Sequence, residues 1–148
     1  MGFEQAVVSS TQTGQVFYSF GRRNIMHATA RQTGGAVGIW EAFPEPGMGV
    51  PFHTHAREDE VFRVLGGHFR FWCGDASFDG TEGFTITLPR HVRHRFLNIG
   101  DTTGQLLTMV IPGGFEQIFL DTESLGPDPT AAQLLELDQK YGVVDEPS

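Results

Sequence analysis

The sequence predicts an all-β domain, a sandwich or barrel, with a short helical segment at its C-terminal end. Three observations carry this. Short runs with apolar residues on alternate positions recur through residues 15–111, the period of a half-buried strand. Glycine-rich breaks separate them at nearly regular spacing, which favours a sandwich or barrel over βαβ units. Pro44, Pro46, Gly47, Gly49 and Pro51 fill a connection that no helix can cross.

Taken in order, Gln15–Phe20, Met26–Thr29 and Ala36–Phe43 read as strands broken by Gly21 and by Gly34-Gly35. Glu60–Leu65 alternates, with Glu60, Phe62 and Val64 on one face. His68–Cys73 alternates as well, placing Phe69, Phe71 and Cys73 together, and the intervening Gly66-Gly67 predicts a hairpin. Phe84–Leu88, Val92–Ile99 and Gln105–Ile111 continue the pattern. Helical spacing follows at Phe115, Ile118 and Phe119. Asp128-Pro129 then reads as an N-cap with proline at the first helical position, opening a helix with Leu134, Leu137 and Tyr141 on one side and Gly142 as its stop. This helical segment, about 114–142, is expected to cover one end of the β domain or to pack on a partner subunit. Val143–Ser148 is expected to be loose.

The 148 residues fit one domain, 1–148. Ten basic against eighteen acidic residues, net −8, disfavour nucleic acid and anionic membranes as partners. One cysteine and a start with neither a basic cluster nor a long apolar run fit a cytoplasmic protein.

The chemistry concentrates in "GVPFHTHAREDEVFRVLGGHF", residues 49–69. Residues two apart on a strand point the same way, so His53 and His55 can converge on one point. Glu60 has the wrong parity to join them on an unbroken strand, but Ala56–Asp59 is short and polar enough to turn the chain and bring it back. In "LPRHVRHRFLN", Val92, His94, Phe96 and Asn98 share the face that looks interior, so His94 offers a third nitrogen. Three imidazoles and a carboxylate would hold one divalent transition metal (iron, manganese, nickel, cobalt, copper or zinc), with positions left for water or substrate. Other polar groups have plainer readings. Glu58 and Asp59 fit a solvated turn, His27 and His68 lack partners at ligand spacing, and Arg90, Arg93 and Arg95 alternate outward. Phe62, Phe69, Phe71, Phe84, Phe96 and Trp40 read as core, some of it walling a cavity suited to an apolar or aromatic guest. Cys73 reads as a buried, inert thiol.

These residues resemble the two motifs of the cupin superfamily. Gly47, His53, His55, Glu60 and Gly67 match the first, and Gly83, Pro89, His94 and Asn98 the second, while His91 stands where the second has a glycine. The resemblance implies a double-stranded β-helix, or jelly-roll, barrel binding its metal through His53, His55, Glu60 and His94, in a homodimer. From Gly34 to Phe119 the chain is similar to small single-domain bacterial cupins grouped with quercetin 2,3-dioxygenases. That implies a metal-dependent dioxygenase acting with O₂ on an aromatic enol or flavonol-like molecule, with Glu60 as ligand and catalytic base. An oxygen-independent Lewis-acid enzyme (isomerase, dehydratase or cyclase) and a non-catalytic small-ligand-binding cupin are the alternatives.

Overall fold

A computed structural model describes residues 2–146. Eleven strands form two antiparallel sheets. The first is ordered β1(Gln15–Ser19), β2(Arg22–Ala28), β3(Gly38–Phe43), β10(Gln105–Ile111), β5(Asp59–Gly66), β8(Thr85–Leu88). The second is ordered β11(Val143–Asp145), β4(His53–His55), β9(His94–Asn98), β6(Phe69–Cys73), β7(Ala76–Gly80). Together they make the jelly-roll barrel that the sequence predicts, with α1(Gln117–Ser124) and α2(Ala131–Tyr141) at its C-terminal end.

The core lies between the sheets. Phe62 and Val64 of β5 and Leu106 of β10 face Phe69 and Phe71 of β6 and Phe96 of β9, all almost fully buried. A second cluster, with Phe17, Trp40, Val110, Phe115 and Ile118, fills the end covered by the helices.

Five local expectations are corrected. Gly66-Gly67 is no hairpin: β5 pairs with β10 and β8, whereas β6 pairs with β7 and β9. The chain switches sheets there because Phe62, Val64, Phe69 and Phe71 bury one another face to face rather than side by side. Gly67 turns with φ +90°, and a Cβ on it would meet Gly104 Cα at 2.9 Å. β7, absent from the sequence reading, closes a two-residue hairpin with β6 through Gly74-Asp75, Cys73 pairing with Ala76. Helix α2 is capped by Thr130 rather than Asp128. The Thr130 hydroxyl accepts from Gln133 N, and the Gln133 side chain accepts from Thr130 N. Val143–Asp145 is not loose. It pairs with β4, setting Val143 opposite His55 and Asp145 opposite His53, and Val143 is buried. Pro147 and Ser148 lie outside the described residues. The fifth correction, at Glu58, belongs to the site.

Candidate metal centre

Sheet pairing builds the site. His53 and His55 alternate on β4, and His94 sits directly opposite His53 on β9, so three imidazoles leave one sheet from adjoining positions. Ala56–Glu58 then carries the chain across to the other sheet, and Glu60 returns on β5 from the facing wall. One ligand atom from each of the four residues lies within 4.8 Å of the others, and all four residues are buried. The ring centroids of His53 and His94 are 4.4 Å apart.

The hydrogen bonds leave the inner nitrogens unclaimed by backbone. His53 Nδ1 donates to the Pro51 carbonyl at 2.8 Å and His94 Nδ1 to the Val92 carbonyl at 3.0 Å, because a carbonyl only accepts. Their Nε2 atoms therefore turn inward. His94 Nε2 lies 2.9 Å from Glu60 Oε2. His55 is fully buried with neither ring nitrogen hydrogen-bonded. Its Nε2 is 3.5 Å from Glu60 Oε2, and its Nδ1 is 3.8 Å from Glu58 Oε2. A buried imidazole with two unsatisfied nitrogens is costly unless a further partner arrives. A divalent cation supplies that partner for Nε2, so the donor set fits a metal.

The electrostatics agree. Burial, with repulsion from His94 and His55, pushes the His53 imidazole down to about 4, leaving it neutral at pH 7. Burial alone would raise the Glu60 carboxyl, but the imidazoles of His55 and His94 outweigh it and hold the group well below the usual carboxylate range. Burial likewise lowers His94, and its bond to Glu60 more than reverses this. The two side chains meet in the place a cation would take.

Glu58 departs from the solvated turn expected of it. It is 4% exposed, with Oε2 sealed and unpartnered, and burial pushes its carboxyl up. The reason is its place in the sheet-to-sheet crossover, between His55 and the backbone at Gly114. Asp59 does face outward, holding Arg90 by two nitrogens. Arg93 and Arg95 point out as expected, but both lie over the Phe52 ring and Arg93 pairs with Glu146. His27 is hydrogen-bonded between Ser9 and Glu41, and Cys73 is half-buried with its thiol pushed up. His91 occupies the second-motif glycine position with φ +66°, in the left-handed region that explains a glycine there.

A cavity of about 830 Å³ runs from the site to the helical end of the barrel. Of the four cluster residues, His53 and Glu60 line it, beside Trp40, Phe62, Phe96 and Phe115. Nothing in the sequence pattern singled out Arg22, which lines it too.

Two facing β-sheets that enclose a histidine and carboxylate cluster at one end of an apolar cavity define a barrel built to hold a metal beside a small molecule. Comparison with known proteins then places it. The family model for the cupin domain matches residues 41–110, a little under half of the chain, and over that stretch the chain is similar to the cupin superfamily. Protein SchB of Streptomyces halstedii is 33% identical over 79 residues, 53% of this chain and 56% of that protein. The chain thus spans about half the length of the curated relative it matches. Among solved structures, KdgF from Halomonas sp. superposes with a TM-score of 0.64 at 14% identity, covering 73% of this chain and 96% of that one. An RmlC-like cupin from Shewanella frigidimarina gives 0.64 at 19% identity, covering 74% and 93%. Pac13 of Streptomyces, described as a unique nucleoside dehydratase, gives 0.61 at 15% identity, covering 76% and 88%. Identities this low show the fold they share. No described helix is long and apolar enough to cross a membrane.

Proposed function

We propose that the chain is a metal-dependent dioxygenase acting on an aromatic enol or flavonol-like small molecule. The observation that carries this reading is that Glu60 belongs at once to the four-residue cluster and to the cavity wall. A divalent transition metal held by His53, His55, Glu60 and His94 would supply Lewis acidity and, if redox-active, electron transfer to O₂. The chain's own residues do the rest. Glu60 Oε2 is engaged by His94 and approached by His55. Oε1 is therefore the oxygen free to accept a substrate hydroxyl proton, and its low pKa keeps it ionised for that purpose. Trp40, Phe62, Phe96 and Phe115 exclude water and present flat apolar surface to an aromatic ring.

The test loads chelator-treated protein with each candidate metal in turn and follows oxygen uptake with a panel of flavonols and related enols. Uptake by at least one metal form, abolished in Glu60→Gln, supports the proposal. A second reading follows from Pac13: the same barrel carries a dehydratase, so proton transfer by Glu60 without oxygen is the competing chemistry. Anaerobic turnover of an enol or polyketide-like substrate at an undiminished rate selects it. No turnover with or without oxygen by any metal form overturns both.

A further inference from the structure

The cavity holds a buried cation that the proposed chemistry does not use. Arg22 lies on β2, on the same face as Asn24 and Met26, and is 5% exposed. Its Nη1 donates to the Gly49 carbonyl at 2.7 Å. Its Nε is sealed from solvent with no acceptor. Among the described residues no carboxylate lies within ion-pair distance of it, although the chain has eighteen acidic residues to ten basic. The contrast with the other arginines is informative. Arg70, Arg90 and Arg93 are paired with Asp79, Asp59 and Glu146, and all three pairs lie where water already screens them. Several other arginines are unpaired as well, but Arg22 is the one that is buried, so it most needs a counter-charge among the described residues.

Burial lowers its pKa only to about 10, so it stays cationic at neutral pH. The rings of Phe20 and Phe96, each 5.5 Å from Cζ, offset part of the lost hydration. Ring faces do not satisfy N–H donors, however, and a guanidinium carries five. Holding the Gly49 carbonyl explains one of them and requires no charge.

Its position relates it to the metal cluster. Phe96 follows His94 by two residues on the same face of β9, a step of about 7 Å. The guanidinium beside Phe96 therefore lies one pleat repeat further into the cavity than the cluster. Arg22, His53 and Glu60 line the same continuous space.

We propose that Arg22 is the anion-recognition residue of this cavity, and that the molecule bound there is a flat aromatic carrying a carboxylate on the side away from the metal cluster. The proposal rests on the reading of the cavity as the substrate site and deepens it. A planar guanidinium favours a planar carboxylate, and the approach of a ligand carboxylate supplies the missing counter-charge.

Calorimetric titration tests this with 2-naphthoate, its neutral isostere 2-naphthamide and 2-naphthyl phosphate, against wild type, Arg22→Met and Arg22→Lys. Each protein is measured both zinc-loaded and chelator-treated, which separates a carboxylate held by Arg22 from one held by the metal. Wild type should bind naphthoate about ten-fold or more tighter than the amide in both forms, the worth of one charge-assisted contact. Arg22→Met should reduce that preference to within about two-fold. Arg22→Lys, which keeps the charge, should retain part of it. A wild type without the preference, or an Arg22→Met that keeps it, overturns the proposal. Tighter, Arg22-dependent binding of the phosphate than of naphthoate overturns the carboxylate assignment. Should Arg22→Met not fold, the wild-type pair and Arg22→Lys still decide the matter. An Arg22-dependent preference in a protein that turns over no enol leaves this site standing and sinks only the catalytic reading.

Discussion

The His53 imidazole sets a pH dependence that can be worked through. In the folded, metal-free chain it takes a proton only at about 4, against an ordinary value of 6.5. Between those values the unfolded chain binds the proton and the folded chain does not, so stability falls as the pH drops. The penalty is absent above 6.5, grows through the window and is complete below 4. The difference of 2.5 in pKa, at 1.36 kcal/mol each, makes the full penalty about 3 kcal/mol, most of it felt by pH 4.5. Glu58 and Asp138, whose carboxyls burial pushes up, act in the opposite direction between their unfolded and folded values. His94, raised by Glu60, contributes stability below 6.5 that is lost at higher pH. The informative quantity is therefore the difference between wild type and His53→Asn. Urea unfolding of chelator-treated protein, followed by tryptophan fluorescence at pH 7 and pH 4.5, gives it directly. Wild type should lose about 2–3 kcal/mol more than the variant on acidification. Parallel losses in the two proteins would refute the reasoning, because the cost of charging a buried imidazole would then not be located at His53.

Other outcomes follow from the same contacts. Glu58→Ala should weaken zinc binding by about ten- to a hundred-fold in a chelator competition, because Glu58 is the acceptor facing His55 Nδ1 when Nε2 gives its lone pair to the metal. His91→Gly should raise stability by about 0.5–1 kcal/mol, seen as a higher Tm, by relieving the left-handed backbone at φ +66°. Truncation after Gly142 should cost about 2–4 kcal/mol in urea unfolding, since it exposes Val143's neighbours and strips the β11 partner from β4. An unchanged midpoint would mean that β11 contributes nothing to the barrel.

The strands that alternate strongly, such as Gln105–Ile111 and Glu60–Val64, were legible because one face of each is buried along its whole length. β7 was not, since Ala76, Ser77, Phe78 and Asp79 are all exposed and show no buried face. β11 escaped for another reason: its order comes from the open edge of β4, which lies far from it in the chain, and no local signal in Val143–Asp145 announces the pairing. The cluster residues were legible because imidazoles two apart on a strand have few other reasons to be there. That Glu60 comes from the opposite sheet was hidden, as was the burial of Glu58. An acidic run reads as solvated whether or not the chain is crossing a core at that point. Arg22 was the least legible. In "GRRN" two arginines alternate, and only the tertiary structure sends one into the cavity and the other to the surface.

The division of the cluster between two walls constrains the chemistry more than the identity of the ion does. His53, His55 and His94 belong to one sheet and Glu60 to the other, so a bound cation ties the sheets together and metal affinity is linked to barrel stability. His55 and His94 are shut off from the cavity, His55 by the Phe115 ring at 4.4 Å. A guest can therefore reach the cluster only on the side of His53 and Glu60. His53 is neutral there and its Nδ1 hydrogen is committed to Pro51. Among the described residues that line the cavity, Glu60 is the carboxylate belonging to the cluster and Arg22 is the one cation. A molecule that enters with an acidic hydroxyl leading and a carboxylate trailing meets both with the matching charge, and the reverse orientation sets its carboxylate against Glu60. In the metal-free chain the polarity of the cavity thus selects the orientation as well as the class of guest. A bound divalent cation instead outweighs the single charge of Glu60 and leaves Arg22 to compete with it for the carboxylate.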